Sequence, residues 1–290
     1  MLFDLAIQVF HSDNSVMPIL TDRSKMEDWI EPDEVPRRIV AYGYAFEHLD
    51  KIDLEFHSHV KSQIIMVQSG ALSCEMEGGL WIVPPHSAIW IPGGARHTIY
   101  ASGALKGYSA FIDPDAGPAS LHACRAIAIT PLLRELLKRA AALPLFYETT
   151  DTIIRMQDVL LDELAAATVE NLHLPMPRDR RLRKIADRMI EVPAEQLTMN
   201  VWASQVGLST RTLSRLILKE TGMSFNRWRQ QLCVMLAVKW LAAGTTTQQV
   251  AGDLGYESVP SFVTMFRNVL GAPPGRYMAE RYSRTGLVEK

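Results

Sequence analysis

The stretch FHSHVKSQIIMVQSG, residues 56–70, sets His57 and His59 one residue apart and Gln63 four positions further on. On a β-strand successive side chains alternate between faces, so both histidines point the same way and Gln63 shares their parity. Two imidazoles and an amide oxygen on one face are the beginning of a metal site. Their donor chemistry suits zinc, nickel, iron or copper. The same residues would also serve as polar lining around an organic molecule, so two kinds of effector remain open.

Such a face needs a rigid sheet to hold it, and composition sets what the rest of the chain can supply. With 290 residues, 48% hydrophobic and 21% charged, the sequence has the profile of a globular protein of about two domains. The longest apolar stretch, GGLWIVPPHSAIWIPGG (78–94), is cut by prolines and glycines and falls short of the ~20 apolar residues of a membrane helix. The opening MLFDLAIQVFHSDNS lacks the basic start of a signal peptide, so a cytoplasmic protein without membrane partners is expected. Cys74, Cys124 and Cys233 are far apart and form no CxxC pair, which predicts reduced, buried thiols.

The formal net charge of −2 conceals a division. From Arg178 onward there are 17 Lys and Arg against 9 Asp and Glu, whereas the preceding residues carry 13 against 23. All eight histidines, at 11, 48, 57, 59, 86, 97, 122 and 173, fall in the acidic part. An acidic, histidine-bearing half joined to a basic half is the pattern of a chain of which one part meets a polyanion.

Short apolar runs between Val40 and Ile129, such as RIVAYGYAFE, IIMVQSGALSCEM, GLWIVPP and KGYSAFID, alternate with Gly and Pro and predict a small β-barrel or sandwich. The period then changes. PLLRELLKRAAAL (131–143) and TDTIIRMQDVLLDELAAATVENL (150–172) read as helices, and Ile153, Met156, Leu160 and Leu164 form a stripe on the second. That stripe fits either packing on the sheet or a dimer seam. HLPMPRDRR (173–181) reads as a linker, and beyond Arg183 the chain is helical nearly to its end. Gly207, Gly222, Gly244, Gly255 and Gly271 mark helix stops, Thr198 and Ser209 mark starts, and Thr246 with Gln249 makes a capping box.

Within the basic half, TMNVWASQVGLSTRTLSRLI places Ala203, Gly207 and Leu213 at the crossing, turn and anchor positions of a helix-turn-helix. TQQVAGDLGYESVPSFVTMF repeats the spacing with Ala251 and Gly255, anchored by Phe262 and Phe266, and a helix of about 19 residues joins the two units. Residues 180–282 closely resemble the DNA-binding domain of the AraC/XylS family of bacterial transcription regulators. The resemblance rests on LSTRTLSRLILKETGMSFNRWRQQL, AVKWLAAG and VAGDLGYESVPSFVTMFRNVLGAPPGRYM, with Gly255–Tyr256 and Pro273–Pro274 before Tyr277. It implies double-stranded DNA as partner, with both second helices in successive major grooves. Helical spacing then turns Arg211, Ser214 and Arg215 outward, with Lys219 at the far end; the arginines offer bidentate donors to guanine. On the second unit Pro260, Ser261 and Thr264 face bases and Arg267 faces phosphate, with Ser258 also in the DNA-binding set; with Val259–Pro260 in place of polar residues, few base-reading donors are expected there. Ser209 completes the DNA-facing set.

Residues 57–70 also resemble the first cupin motif, through His57, His59, Gln63 and Gly70, with glutamine in place of the usual glutamate. Pro92, Gly94 and His97 in IPGGARH match the second motif. The resemblance implies a cupin barrel serving as a sensor, with His97 joining the cage from a neighbouring strand and a divalent transition metal or small molecule as effector. Tyr44, Phe56, Ile65, Trp90 and Tyr108 are expected to wall its interior, and His86 to stand nearby as a gate. An oxygenase-like cupin metalloenzyme fused to a DNA-binding domain is the alternative, but Gln63 removes the obvious base, so no catalytic residue is expected. The expected molecule is therefore a two-domain α+β protein: residues 1–130 a cupin-type sensor, 131–179 a helical dimerisation and linker segment, and 180–290 an AraC-type DNA-binding domain. As a homodimer that activates transcription, it would also meet RNA polymerase.

Overall fold

The computed structural model describes residues 19–20, 30–47, 52–53, 55–101, 103–118 and 120–283; His11 and His48 lie outside them. Among the described residues the first half carries eleven strands, two α-helices and a short 3-10 helix at Pro32–Glu34. The strands are β1 (Ile19–Leu20), β2 (Ile39–Phe46), β3 (Ile52–Asp53), β4 (Ser62–Ser69), β5 (Leu72–Met76), β6 (Gly79–Val83), β7 (Ser87–Ile91), β8 (His97–Ala101), β9 (Leu105–Ile112), β10 (Arg125–Ala128) and β11 (His173–Pro175). They form two sheets, ordered β1-β2-β9-β4-β7-β10 and β11-β6-β5-β8-β3.

Strand parity divides the apolar side chains into layers. Ile64, Met66, Ala88, Trp90, Tyr108 and Ala110 leave the first sheet on one face and pack beneath helices α1 (Pro131–Ala141) and α2 (Asp151–Ala166), against Leu133, Leu137, Leu160 and Leu164. Tyr44, Ile65, Val67, Ile89 and Ile91 leave on the other face and meet Leu72, Cys74, Trp81 and Val83 of the second sheet. Each of the Val, Leu, Ile and Met side chains among them contributes roughly 1.5–3 kcal/mol on burial. Leu160 and Leu164 thus belong to the core, which decides the stripe on α2 in favour of packing. The helix ends sixteen residues after it starts, earlier than the apolar pattern suggests. Its continuation returns to the sheet, where Ala128 N–H donates to Thr168 O and Glu170 N–H to Ala126 O.

Of the expected linker, His173–Pro175 is instead β11, antiparallel to β6. It carries the chain across the second sheet, so that Leu80, Ile82, Leu174 and Met176 share one apolar cluster with the helical half. All three cysteines are free; burial pushes the Cys74 thiol up to about 12 and leaves it inert, as its position in the core requires.

The helical half comprises α3 (Arg180–Glu191), α4 (Met199–Gln205), α5 (Thr210–Thr221), α6 (Phe225–Ala242), α7 (Thr247–Asp253), α8 (Val259–Leu270) and α9 (Pro274–Ser283). Thr198, Ser209, Ser224 and Ser258 accept the expected N-terminal amide hydrogen bonds, and Thr246 with Gln249 forms a complete capping box. Both long second helices stop at a glycine in the left-handed region, Gly222 (φ 70°) and Gly271 (φ 80°), where a Cβ would strain the backbone. No helix among the described residues is long and apolar enough to cross a membrane.

Candidate functional site: a trihistidine cluster and two reading helices

Two stretches of the β-rich half meet at the histidines. His57 N–H donates to His97 O (3.0 Å) and His97 N–H to His57 O (2.9 Å), a reciprocal bridge that fixes the first motif beside the second. The imidazoles of His57, His59 and His97 converge, with one potential ligand atom from each lying within 4.8 Å of the others. Each ring offers Nδ1 to a backbone carbonyl: His57 to Glu55 (3.0 Å), His59 to Lys61 (2.5 Å) and His97 to Ala95 (2.9 Å). A carbonyl can only accept, so Nδ1 carries the proton in the His57 and His97 rings and their Nε2 atoms keep a lone pair, whereas His59 faces an acceptor oxygen at each nitrogen, Lys61 O at Nδ1 and Gln63 Oε1 at Nε2. This is the outer-shell arrangement that orients histidine ligands on metals.

Burial holds the His97 imidazole down to about 4 and also lowers His57; the neighbouring histidines push both in the same direction. These rings are therefore neutral near pH 7, as ligation requires. His97 Nε2 is fully buried and has no hydrogen-bond partner. The residues present fit a transition-metal ion.

Gln63, the second residue of β4, joins the cluster with Oε1 3.1 Å from His59 Nε2, whereas His57 and His59 lie in the segment that precedes β4 and not on one strand with it as expected. Its amide donates to Ser109 Oγ at 3.1 Å, and Ser109 is hydrogen-bonded to Tyr42, whose phenol is pushed up chiefly by burial. Phe111 closes the wall, edge-on to His59 with ring centroids 4.9 Å apart. Ser109, Tyr42 and Phe111 were not among the residues expected here. Their signal was parity: Tyr42 and Phe111 pair with inward-facing neighbours along β2, β9 and β4.

The same parity corrects the expected aromatic wall. Trp90 and Tyr108 lie on the opposite face of the sheet, under α1 and α2, where the Trp90 indole donates to Leu121 O at 2.6 Å. Tyr44 and Ile65 do face inward, with the Tyr44 hydroxyl bound to Met66 O. Phe56 is 43% exposed beside Arg96, outside that core. His86 is buried at the far end of β4, where its N–H donates to Val67 O, and does not gate the histidines. His122 and His173 are likewise apart from the cluster; His173 stacks on Trp81.

In the helical half, Ala203 and Ala251 are buried at the two helix crossings and Leu213, Ile217, Phe262 and Phe266 anchor the second helices. Arg211, Ser214, Arg215 and Lys219 are exposed along α5, and Ser258, Pro260, Ser261, Thr264 and Arg267 along α8. Arg211, Arg215, Lys219 and Arg267 form no ion pair with a described residue, so their charge is available to a polyanion. The hydroxyls of Ser209 and Ser258 cap their helices and bond to Thr212 and Ser261, which keeps both serines at N-termini suited to phosphate. Pro260, Ser261 and Thr264 share a groove with Asn268 and with Gln230 of α6. The second unit therefore holds two amides that the sequence pattern did not reveal; Asn268 lies four residues beyond Thr264, one turn along the same face.

Two stacked sheets followed by a pair of helix-turn-helix units define a DNA-binding regulator with a β-rich first half. Residues 202–280 match a helix-turn-helix domain family model. The chain is 38% identical over 249 residues to the HTH-type transcriptional regulator NimR of Escherichia coli, covering 86% of this chain and 90% of that protein. It belongs to the AraC family of helix-turn-helix transcription regulators. Among solved structures, the DNA-binding domain of AdpA in complex with a target DNA is 26% identical, over 36% of this chain and 94% of that one, with a TM-score of 0.34. ToxT from Vibrio cholerae is 10% identical, over 84% and 98%, with a TM-score of 0.35.

Arg215 projects from the middle of α5 with an unpaired guanidinium. Replacing it with alanine will cost about 1–3 kcal/mol on the preferred duplex and relax preference at one base pair. Gel-shift titrations on that duplex and on random DNA check this; equal losses on both would remove Arg215 from base reading.

Proposed function

We propose that this regulator senses a divalent transition-metal ion bound by His57, His59 and His97, with Gln63 as a fourth oxygen donor, in a cupin-type β domain. The observation that carries the reading is the convergence of three imidazoles from two separate stretches, each with Nδ1 held by a backbone carbonyl, around the buried His97 Nε2 that has no hydrogen-bond partner among the described residues. Polar lining around an organic molecule would not need three imidazoles anchored on backbone carbonyls and brought to one point. Gln63 cannot act as the carboxylate base of an oxygenase, and its amide is already committed to Ser109, which supports sensing rather than turnover.

The ion would shift the protein between two arrangements of its DNA-reading units, changing DNA affinity by the ratio of its affinities for the two. An organic effector could add to the same site beside Tyr42 and Phe111. Exposed Ile154 and Val159 on the outer face of α2 support a homodimer, and an activator of this kind would present a further face to RNA polymerase.

The test uses zinc, nickel, iron(II) and copper in turn. Wild-type protein is expected to bind about one equivalent of the preferred ion. His97→Ala should lower that affinity by roughly 100-fold or more, since even outer-shell changes cost 10–100-fold. Its gel-shift affinity for DNA in the absence of metal should be unchanged. Failure of wild type to bind any of the four ions, or unaltered binding by His97→Ala, would reject the metal reading and leave the family function intact.

A further inference from the structure

The sensor half grips the helical half at two separate places, one for each reading unit. The first grip is on α3 and the start of α6. Arg183 of α3 pairs with Glu75 of β5 at 2.7 Å. On α6 the Trp228 indole donates to Pro175 O at 2.7 Å and the Gln231 amide to the carbonyls of Asn171 and His173. The second grip is on α9, at the other end of α6, whose 18 residues span about 27 Å.

At this second grip Arg281 is buried, 9% exposed, and spends its guanidinium on the sensor. Nη2 bonds Glu170 Oε1 at 2.6 Å, and Nη1 bonds Ser87 Oγ at 2.5 Å; Ser87 in turn donates to Glu170 Oε2 at 2.5 Å. Glu170 is itself tied to the sheet by its own N–H on Ala126 O (2.8 Å). Toward the other side, Arg281 Nη2 bonds the Tyr277 hydroxyl at 2.7 Å, and the guanidinium lies 4.6 Å from the centre of that ring. Tyr277 packs edge-on against Phe266, the inward anchor of α8, at 5.6 Å between centroids. One unbroken chain of buried and half-buried contacts thus runs from strand β7 through Glu170, Arg281 and Tyr277 to the core side of the second reading helix. Beside it Ala71 of the sensor packs on Ala242 and Met278.

A buried charge pair contributes little net stability over an apolar pair of the same volume, but it tolerates few geometries. Stability alone therefore gives no reason for one here, whereas setting the position of α9 does. We propose that Arg281 is the positioning residue through which the sensor domain fixes the second reading helix, so that the register between α5 and α8 on DNA is set by the two grips and not by α6 alone. The proposal rests on DNA reading by both units and is independent of what the histidine cluster binds.

The test selects duplexes from a random library with full-length wild-type protein, with Arg281→Met, and with the paired variant Glu170→Gln/Arg281→Met, which leaves no buried charge unpaired. Wild type is expected to enrich two blocks of sequence at a fixed spacing, and Arg215→Ala identifies the block read by α5. Both Arg281 variants should keep the α5 block, because the Arg183–Glu75 grip is untouched. The second block should be lost or should occur at variable spacing. Affinity for the two-block duplex should fall at least roughly tenfold, to the wild-type level for a duplex with a scrambled second block. Three outcomes would overturn the proposal. These are wild-type spacing and both blocks in the paired variant, loss of both blocks together in that variant, and a single block for wild type.

Discussion

Replacing Trp228 with alanine will destabilise the protein by about 3–5 kcal/mol, the range for truncating a large buried aromatic side chain. The indole is 1% exposed and lies where α6 meets β11. Two losses combine at this position. The ring leaves a cavity within the cluster that spans Leu174, Met176 and the helical core, and Pro175 O loses the indole N–H it accepts at 2.7 Å. A buried carbonyl left without its donor adds about 1–3 kcal/mol of desolvation cost, part of it recovered if water enters the cavity.

The shape of the unfolding curve should change as well as its midpoint. The two sheets and α1–α2 keep their own clusters without Trp228, so the variant should unfold in urea as two transitions, the helical half first. Circular dichroism at 222 nm followed together with tryptophan fluorescence separates them. A midpoint equal to wild type would show that the seam contributes nothing to stability. A milder variant, Trp228→Phe, should retain most of the packing and lose the hydrogen bond alone.

Trp228 also shows why some of the molecule was legible from the sequence and some was not. Helix ends are local chemistry, and Thr198, Ser209, Thr246 with Gln249, Gly222 and Gly271 stand where their side chains or backbone freedom require. The outward sets on α5 and α8 followed from the 3.6-residue period, and the histidines were located by the two cupin-like motifs, although His57 and His59 precede β4 and do not share a strand with Gln63. What failed depended on relations between strands. Trp90 and Tyr108 were assigned to the interior by size and apolar character, yet which face a residue occupies is fixed by register with its partner, and a shift of one position exchanges the faces. The segment read as a linker became β11 because its pairing edge on β6 is distant in sequence. Arg281 gave no signal as a residue joining the two halves. Its partners Glu170 and Ser87 lie 111 and 194 positions away, and no periodicity connects them.

The second large effect is acid sensitivity, and it originates beside that same grip. His86 is buried with its φ at 63°, in the left-handed region, and its imidazole is held down to about 4 by desolvation, with the charges of Arg134 and Arg281 adding to the shift. The ordinary histidine value is 6.5. Between the two values the unfolded chain takes up a proton that the folded protein refuses. Stability is thus fully present above about pH 6.5 and is lost as the pH falls toward 4. For one such group the loss reaches about 2 kcal/mol at pH 5, and His97, also held down to about 4, adds a similar amount in metal-free protein. Asp179, whose carboxyl is held down to about 2 by Arg181, acts only at lower pH and leaves this window to the histidines. Urea midpoints measured for metal-free protein at pH 7 and pH 5 should therefore differ strongly. Asparagine tolerates a left-handed backbone and does not titrate, so His86→Asn should remove about 2 kcal/mol from that difference without a comparable loss at pH 7. An unchanged pH dependence in His86→Asn would show that its imidazole accepts a proton in the folded state, and that Arg134 and Arg281 do not hold it neutral.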